Sequence, residues 1–276
     1  MKLLFLIIPI IAVAAVALLF VLSSNELNAY ILKVGKADAS ILHSKDGTVV
    51  IDCGESDDGE KVLKKLGELK IGTIDKLILT HFDKDHIGGA AQVLSSISVR
   101  EVILPSYTPE NPESDEYLAL VAALESVKGD TEIRYLTDDW TFSLGKTAYH
   151  IYTAGEKVYK DSPDNNCSLV TQITNGSDIL LFAGDIERDR IADILEKGIG
   201  RCAFLKVPHH GRIEENTEAF FKAVYPDYAV ICCSEKNPPD EEVLSILESL
   251  SVRTYLTDTA DVKVTSTAHG VTVGLE

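Results

Sequence analysis

Thr80-His81-Phe82-Asp83-Lys84-Asp85-His86-Ile87-Gly88-Gly89 is the stretch on which the fold of this chain turns. His81, Asp83, Asp85 and His86 place potential metal ligands within six residues. The apolar run Lys76-Leu77-Ile78-Leu79-Thr80 before it reads as a strand, and Gly88-Gly89 reads as the opening of a helix. A loop at a strand's end is where α/β proteins expose chemistry. Imidazoles and carboxylates this close together can serve two neighbouring divalent ions, His81 and Asp83 facing one, Asp85 and His86 the other. The plain alternative is a polar loop with incidental acids.

Three further features, all at strand ends, weigh against that alternative. Asp185 ends the apolar run Ile179 to Phe182 through Ala183-Gly184, where its carboxylate could bridge two ions. His209-His210-Gly211 follows the run Cys202 to Val207 and Pro208. Asn165-Asn166-Cys167-Ser168 leads into the run Leu169 to Ile173. A strand-terminal Asp is ordinarily a turn residue and a His pair ordinarily a surface feature. Four such elements in order are hard to assign to accident.

Periodicity predicts strands over 28–34, 39–43 and 48–52, a helix over 58–69 and a strand over 76–80. A strand at 100–104, a helix at 114–127 and strands crowding 131–152 complete the first half. The second half reads as strands 168–174 and 178–183, helix 186–197, strand 203–207, helix 216–224, strand 228–232 and helix 239–249. Short strands near 253–256, 262–266 and 270–275 close the chain. Each half starts with clustered strands and continues in strand–helix alternation. That pattern predicts an α/β (α+β) fold of two sheets covered by helices, a four-layer αββα sandwich, over residues 27–276.

The motif is similar to the H-x-[HD]-x-D-H signature of metallo-β-lactamase-fold hydrolases. More narrowly, the chain resembles the soluble hydrolase domain of ComEC-type competence proteins, which act in DNA uptake. Val34-Gly35-Lys36-Ala37-Asp38-Ala39 matches the family's V-G-Q-G-D-A, and Val50-Ile51-Asp52-Cys53-Gly54 its I-D-T-G. Thr80 to Gly89, Asn165 to Leu169, Ala183 to Glu187, Leu205 to Gly211 and Tyr255-Leu256-Thr257-Asp258 also match. The resemblance implies two divalent ions, zinc or manganese, held by His81, Asp83, Asp85, His86, Asp185 and His209 or His210. Of that pair His210 is preferred as the ligand, the other being left to stabilise an oxyanion or protonate a leaving group. Asp85 would also orient the attacking water. Asp52 and Asp38 are expected to support the site rather than ligate.

Departures from the family are informative. Asp83 stands for the middle His of the familiar motif, and Asn165, Asn166 and Ser168 stand where a third first-site His is usual. Fewer imidazoles and more oxygen donors soften the preference for zinc and make manganese credible. Arg212 replaces a Ser, and a later Asn-x-x-x-His-Pro element is reduced to Asn237-Pro238-Pro239.

Leu3 to Leu22 is apolar throughout, interrupted only by Pro9, and matches a bilayer span of ~20 residues. It is expected to be an apolar helix serving as a membrane anchor, with a cleaved signal peptide as the alternative for residues 1–26. Lys2 before the run and Glu26 after it put the folded domain outside the cytoplasm. The formal net charge of −17 disfavours broad adhesion to nucleic acid, although bound cations can reverse the sign locally. Cys53, Cys167, Cys202, Cys232 and Cys233 form neither a disulfide framework nor a zinc ribbon and read as buried small residues. His43, His150 and Trp140 read as structural.

The leading expectation is a metal-dependent phosphodiesterase with nucleic acid as substrate. The alternatives are a hydrolase of a small ester (a lactone, a thioester or a choline phosphodiester) and a non-catalytic extracellular accessory domain. No protein partner follows from the sequence.

Overall fold

A computed structural model describes residues 26–276, so the expected N-terminal apolar helix lies outside the described residues. The chain begins with the antiparallel meander β1 (Leu27–Ile31), β2 (Ala39–Ser44) and β3 (Gly47–Cys53). Helix α1 (Gly59–Glu68) follows, then β4 (Thr73–Ile74) and β5 (Lys76–Ile78). Next come α2 (Lys84–Ile87), α3 (Ala90–Ser96), β6 (Ser98–Val99), β7 (Glu101–Pro105), α4 (Asp115–Val127) and β8 (Glu132–Leu136). Strands β3, β5, β7 and β8 pair in parallel.

The second half repeats the plan. β9 (Trp140–Leu144), β10 (Thr147–Tyr152), α5 (Pro163–Asn166), β11 (Val170–Asn175) and β12 (Asp178–Phe182) supply the antiparallel strands. Helix α6 (Arg188–Glu196), β13 (Phe204–Lys206), α7 (Thr217–Val224), β14 (Tyr228–Ile231), α8 (Glu241–Ser249) and β15 (Arg253–Leu256) extend that sheet in parallel. β16 (Val262–Thr267) and β17 (Gly270–Leu275) return to the first sheet beside β1.

Three apolar cores define the layers. Alternation along β3 sends Val50 to one side and Val49 and Ile51 to the other. Val50 joins Leu77, Val102 and the helix residues Val62, Leu66, Val93, Leu120 and Leu124. Val49 and Ile51 meet Ile151, Ile173, Leu180, Phe182 and Val230 of the second sheet. Leu181, Leu205 and Ala229 face Ile191, Phe220, Phe221, Val243 and Leu247 of α6, α7 and α8. Helix, sheet, sheet and helix are therefore stacked in that order, as the sequence pattern predicts. Cys232 falls in the core between the sheets and Cys233 in the core beneath the helices; all five cysteines are buried and free.

The helix predicted to open at Gly88-Gly89 is α3, with Gly89 as its N-cap residue, and a further short helix, α2, begins inside the motif at Lys84 with Asp83 as its N-cap residue. A Cβ on Gly89 would lie 2.4 Å from the Cys53 carbonyl oxygen, and one on Gly88 2.5 Å from the Ser56 nitrogen. These glycines let the motif loop press against the loop after β3. The Asn165-Asn166 segment closes the short helix α5 and leads through Cys167-Ser168-Leu169 into β11.

Candidate active site

Parallel pairing brings the C-terminal ends of β3, β5, β12 and β13 to one edge of the sandwich. Asp52 lies near the end of β3, His81 after β5, Asp185 after β12, and His210 in the 3₁₀ turn Pro208–Gly211 after β13. Three of the residues gathered there have left-handed backbones: Asp52 (φ 59°), His209 (φ 47°) and His210 (φ 53°). That conformation costs a non-glycine residue about 1–2 kcal/mol, and strain of this kind collects at functional sites.

A hydrogen-bond network fixes two of the imidazoles. Asp52 accepts from the Thr80 backbone N–H at 2.8 Å and the Thr80 hydroxyl at 2.7 Å. It also accepts from His86 Nδ1 at 2.8 Å, which leaves His86 Nε2 as the bare nitrogen of the neutral ring. Since the one Thr80 hydroxyl proton goes to Asp52, Thr80 Oγ1 accepts from His81 Nδ1, 3.1 Å away. His81 Nε2 is bare in turn. Ser168 Oγ lies 3.3 Å from His81 Nδ1 and accepts from the Asp185 backbone N–H at 3.2 Å.

The bare atoms converge. His86 Nε2 is 3.3 Å from Asp185 Oδ2, and His210 Nε2 is 3.0 Å from the same oxygen and 3.4 Å from Asp85 Oδ2. His81 Nε2 is 3.7 Å from Asp83 Oδ2. His81 Nε2, His86 Nε2, His210 Nε2, Asp185 Oδ1 and Asp38 Oδ1 are buried without a hydrogen-bond partner. Each such orphan costs about 1–3 kcal/mol if nothing else satisfies it. Two ligands ~2.1 Å from a shared ion stand about 3.0–3.4 Å apart at octahedral or tetrahedral angles. The separations match that spacing, and the donor set fits a divalent cation. His81, His86 and Asp185 form one group of potential ligands, and Asp85, His86 and His210 another.

The electrostatics point the same way. Burial by itself would lower the pKa of His86, but the Asp185 and Asp52 carboxylates on either side hold it well above the usual imidazole range. His210, against the same burial, is pushed up to about 9 by Asp185, Asp85 and Asp38. Burial would raise Asp185 and Asp85, yet His210 and His86 hold both well below the usual carboxylate range. Protons on these imidazoles occupy positions a cation competes for.

Not every predicted site residue joins the cluster. His209 turns away: its Nδ1 faces Glu187 Oε1 at 3.4 Å and Glu214 Oε1 at 3.8 Å. Asn166 Oδ1 accepts from the backbone N–H groups of Glu187 and Arg190, so it holds the start of α6 and is not a first-site contact. Asn165 Nδ2 donates to Glu187 Oε1 at 2.7 Å, on the side of His209. Asp83, with 42% of its side chain exposed, lies at the rim.

Sequence reasoning passed over two lysines. Lys36 Nζ lies 2.6 Å from Asp85 Oδ2 with its side chain 39% exposed. Lys206, buried beneath the cluster, ion-pairs with Asp38 and approaches Asp185 Oδ1 at 3.6 Å. Both stand beside residues the motifs flag, Lys36 two before Asp38 and Lys206 four before His210. Asp38 thus lies beside the cluster, paired with Lys206.

A family model of the metallo-beta-lactamase superfamily matches residues 32–235. ComE operon protein 3 of Bacillus subtilis (strain 168) is 29% identical over 214 residues, 72% of this chain and 26% of that protein. Recombination protein 2 of Haemophilus influenzae is 27% identical over 224 residues, 79% of this chain and 26% of that protein. The chain spans about a quarter of the length of these relatives. In three dimensions it is similar to the metallo-beta-lactamase fold protein YhfI from Bacillus subtilis, with a TM-score of 0.56 at 12% identity. That match covers 91% of this chain and 100% of the other. The resemblance to competence-type hydrolase domains carried by the motifs therefore extends over most of the described residues, and the chain belongs to the metallo-beta-lactamase superfamily of metal-dependent hydrolases.

Proposed function

We propose that the chain is a phosphodiesterase that works with two divalent ions, zinc or manganese, and that nucleic acid is its substrate class. The observation that carries this reading is the set of buried, unpartnered nitrogen and oxygen atoms at ligand spacing in two overlapping groups. Asp185 faces both His86 and His210 and is the residue placed to serve both ions. His81 and Asp83 would complete one position; Asp85, His86 and His210 would complete the other. Bound ions would supply Lewis-acid polarisation of a phosphoryl oxygen and an activated water.

The chain's own residues do the positioning. Asp52 and Thr80 keep the His86 and His81 rings in the ligating tautomer. The Lys206–Asp38 pair holds a positive charge under Asp185 and a carboxylate behind His210 Nδ1, 3.7 Å away. Lys36, with its side chain part exposed, presents an ammonium to an anionic diester, and Asp85 would ligate and orient the attacking water as a hydrogen-bond acceptor. On a chain of net charge −17, such local cations are what would draw in a polyanion. The oxygen-rich donor set favours manganese as much as zinc.

The apolar run Leu3 to Leu22 supports a membrane-anchored domain working outside the cytoplasm. Among the described residues no helix is long and apolar enough to cross a membrane.

The test is to purify the full chain, count bound metal, and assay single-stranded DNA, a chromogenic phosphodiester, a lactone and a β-lactam with added manganese or zinc. Cleavage of DNA and of the diester is expected. Asp85→Ala should reduce it by more than the ~10–100-fold typical of residues that only support a ligand. Activity confined to the lactone, or an Asp85→Ala variant equal to wild type, would reject the reading.

A further inference from the structure

Glu187, His209 and Glu214 form a group that shares no residue with the central cluster. They come from three separate segments: Glu187 caps α6, His209 lies in the 3₁₀ turn, and Glu214 sits in the loop before α7. His209 Nδ1 stands 3.4 Å from Glu187 Oε1 and 3.8 Å from Glu214 Oε1.

The ordinary account of such a trio is a protonated imidazole donating to a carboxylate. That account does not fit, because His209 Nδ1 is buried and makes no hydrogen bond to either glutamate. Nearby, Asn165 Nδ2 is committed to Glu187 Oε1, while its own Oδ1 is buried without a partner. Separations of 3.4 and 3.8 Å are close to the about 3.0–3.4 Å expected between two ligands of one ion. One imidazole and two carboxylates form a donor set for zinc or manganese and would neutralise the charge of the ion.

We propose that Glu187, His209 and Glu214 form a third divalent-cation site, at the rim of the central cluster. The His209 and His210 rings are 6.0 Å apart, so one short turn serves both sites. Two consecutive left-handed residues send one imidazole inward and the other outward. The site shares no ligand with the central cluster, and it stands whether or not the substrate is a phosphodiester.

The test uses the full chain in detergent, stripped with a chelator and titrated with manganese chloride or zinc sulfate, with bound metal counted after gel filtration. Wild type is expected to bind three equivalents. Glu214→Gln is expected to bind two, with the third equivalent weakened at least tenfold. Glu187→Gln should show the same loss and covers the case in which the first variant does not fold. Two equivalents in wild type and variants would overturn the third site while leaving the dinuclear reading intact. Three equivalents in all of them would overturn the assignment to these residues. No metal in wild type would overturn both readings.

Discussion

The loop bearing His81 and His86 and the turn bearing His210 reach one cluster by different means. In the first, hydrogen bonds to the far ring nitrogen set the geometry: Asp52 holds His86, and Thr80 and Ser168 flank His81. The backbone there is relaxed, with Asp83 extended (φ −68°) and a regular helical turn after it. In the second, His210 Nδ1 has no hydrogen bond, and the ring is aimed by left-handed backbone at His209, His210 and Gly211 (φ 74°). One loop is set by side-chain chemistry and the other by main-chain strain. Changes that spare the ligands should therefore damage the two loops in different currencies, affinity for the first and stability for the second.

The largest effect is expected where the loops meet. If the proposed pair of ions is bound, Asp185→Asn would remove the carboxylate that His86 and His210 share, and bound metal should fall by both central equivalents, with activity lost. Loss of one equivalent would mean that the two loops bind independently. Next comes Gly211→Ala, which tests the strained turn. Its Cβ would lie 2.7 Å from Pro239 Cβ on a backbone with φ +74°. The expected cost is about 1–3 kcal/mol, read as a fall in Tm of roughly 2–4 °C per kcal/mol. Asp52→Asn tests the relaxed loop. It should weaken metal binding ~10–100-fold with little change in how the turn after β13 folds.

How much of this the sequence discloses follows the same division. The motif loop announces itself because its ligands and their spacing are contiguous, and the strands around it alternate or run apolar as buried strands must. Asp52 is legible as a supporting residue because it ends a strand beside the motif. The fates of His209 and His210 are not legible: two identical neighbours face different groups only because the turn takes up a left-handed backbone at both, which nothing in the pair itself dictates. Glu187 and Glu214 are hidden for a related reason, since they meet His209 only after α6 and α7 have packed. Asn165 and Asn166 look like ligands in sequence, but one is spent on the start of α6 and the other on Glu187. Lys206 reads as a strand residue, and nothing local shows that its ammonium ends under Asp185.

Acidity bears on both loops, since each carries an imidazole held above its ordinary range. In the chelated protein His210, pushed up to about 9, gains a proton-linked stability relative to an unfolded imidazole near 6.5. That contribution is full below about pH 6.5 and is lost as pH rises through about 9. The depressed Asp85 and Asp185 add stability that is present above the ordinary carboxylate range and lost on acidification below it. Chelated protein should therefore lose Tm between about pH 6.5 and 9, and metal affinity should rise over the same interval as the proton becomes easier to displace. His210→Gln should reduce the alkaline arm, leaving the part that His86, also held high, contributes; an unchanged arm would assign all of it to His86.

The smallest effect is expected at Lys36, where the family pattern has Gln, and its sign is the informative part. Its ammonium lies on Asp85 Oδ2, the oxygen that also faces His210 Nε2, so it competes with a cation for Asp85. With its side chain 39% exposed, the pair is worth ~0.2–1 kcal/mol after solvent screening, at most about a fivefold change in an equilibrium constant. Lys36→Gln should then tighten the second central equivalent of metal slightly while raising KM for an anionic diester by a similar factor. A neutral ester substrate should show the first change without the second. If both constants moved in the same direction, Lys36 would be acting only through Asp85, and the positive charge offered to substrate beside the relaxed loop would have to come from the bound ions alone.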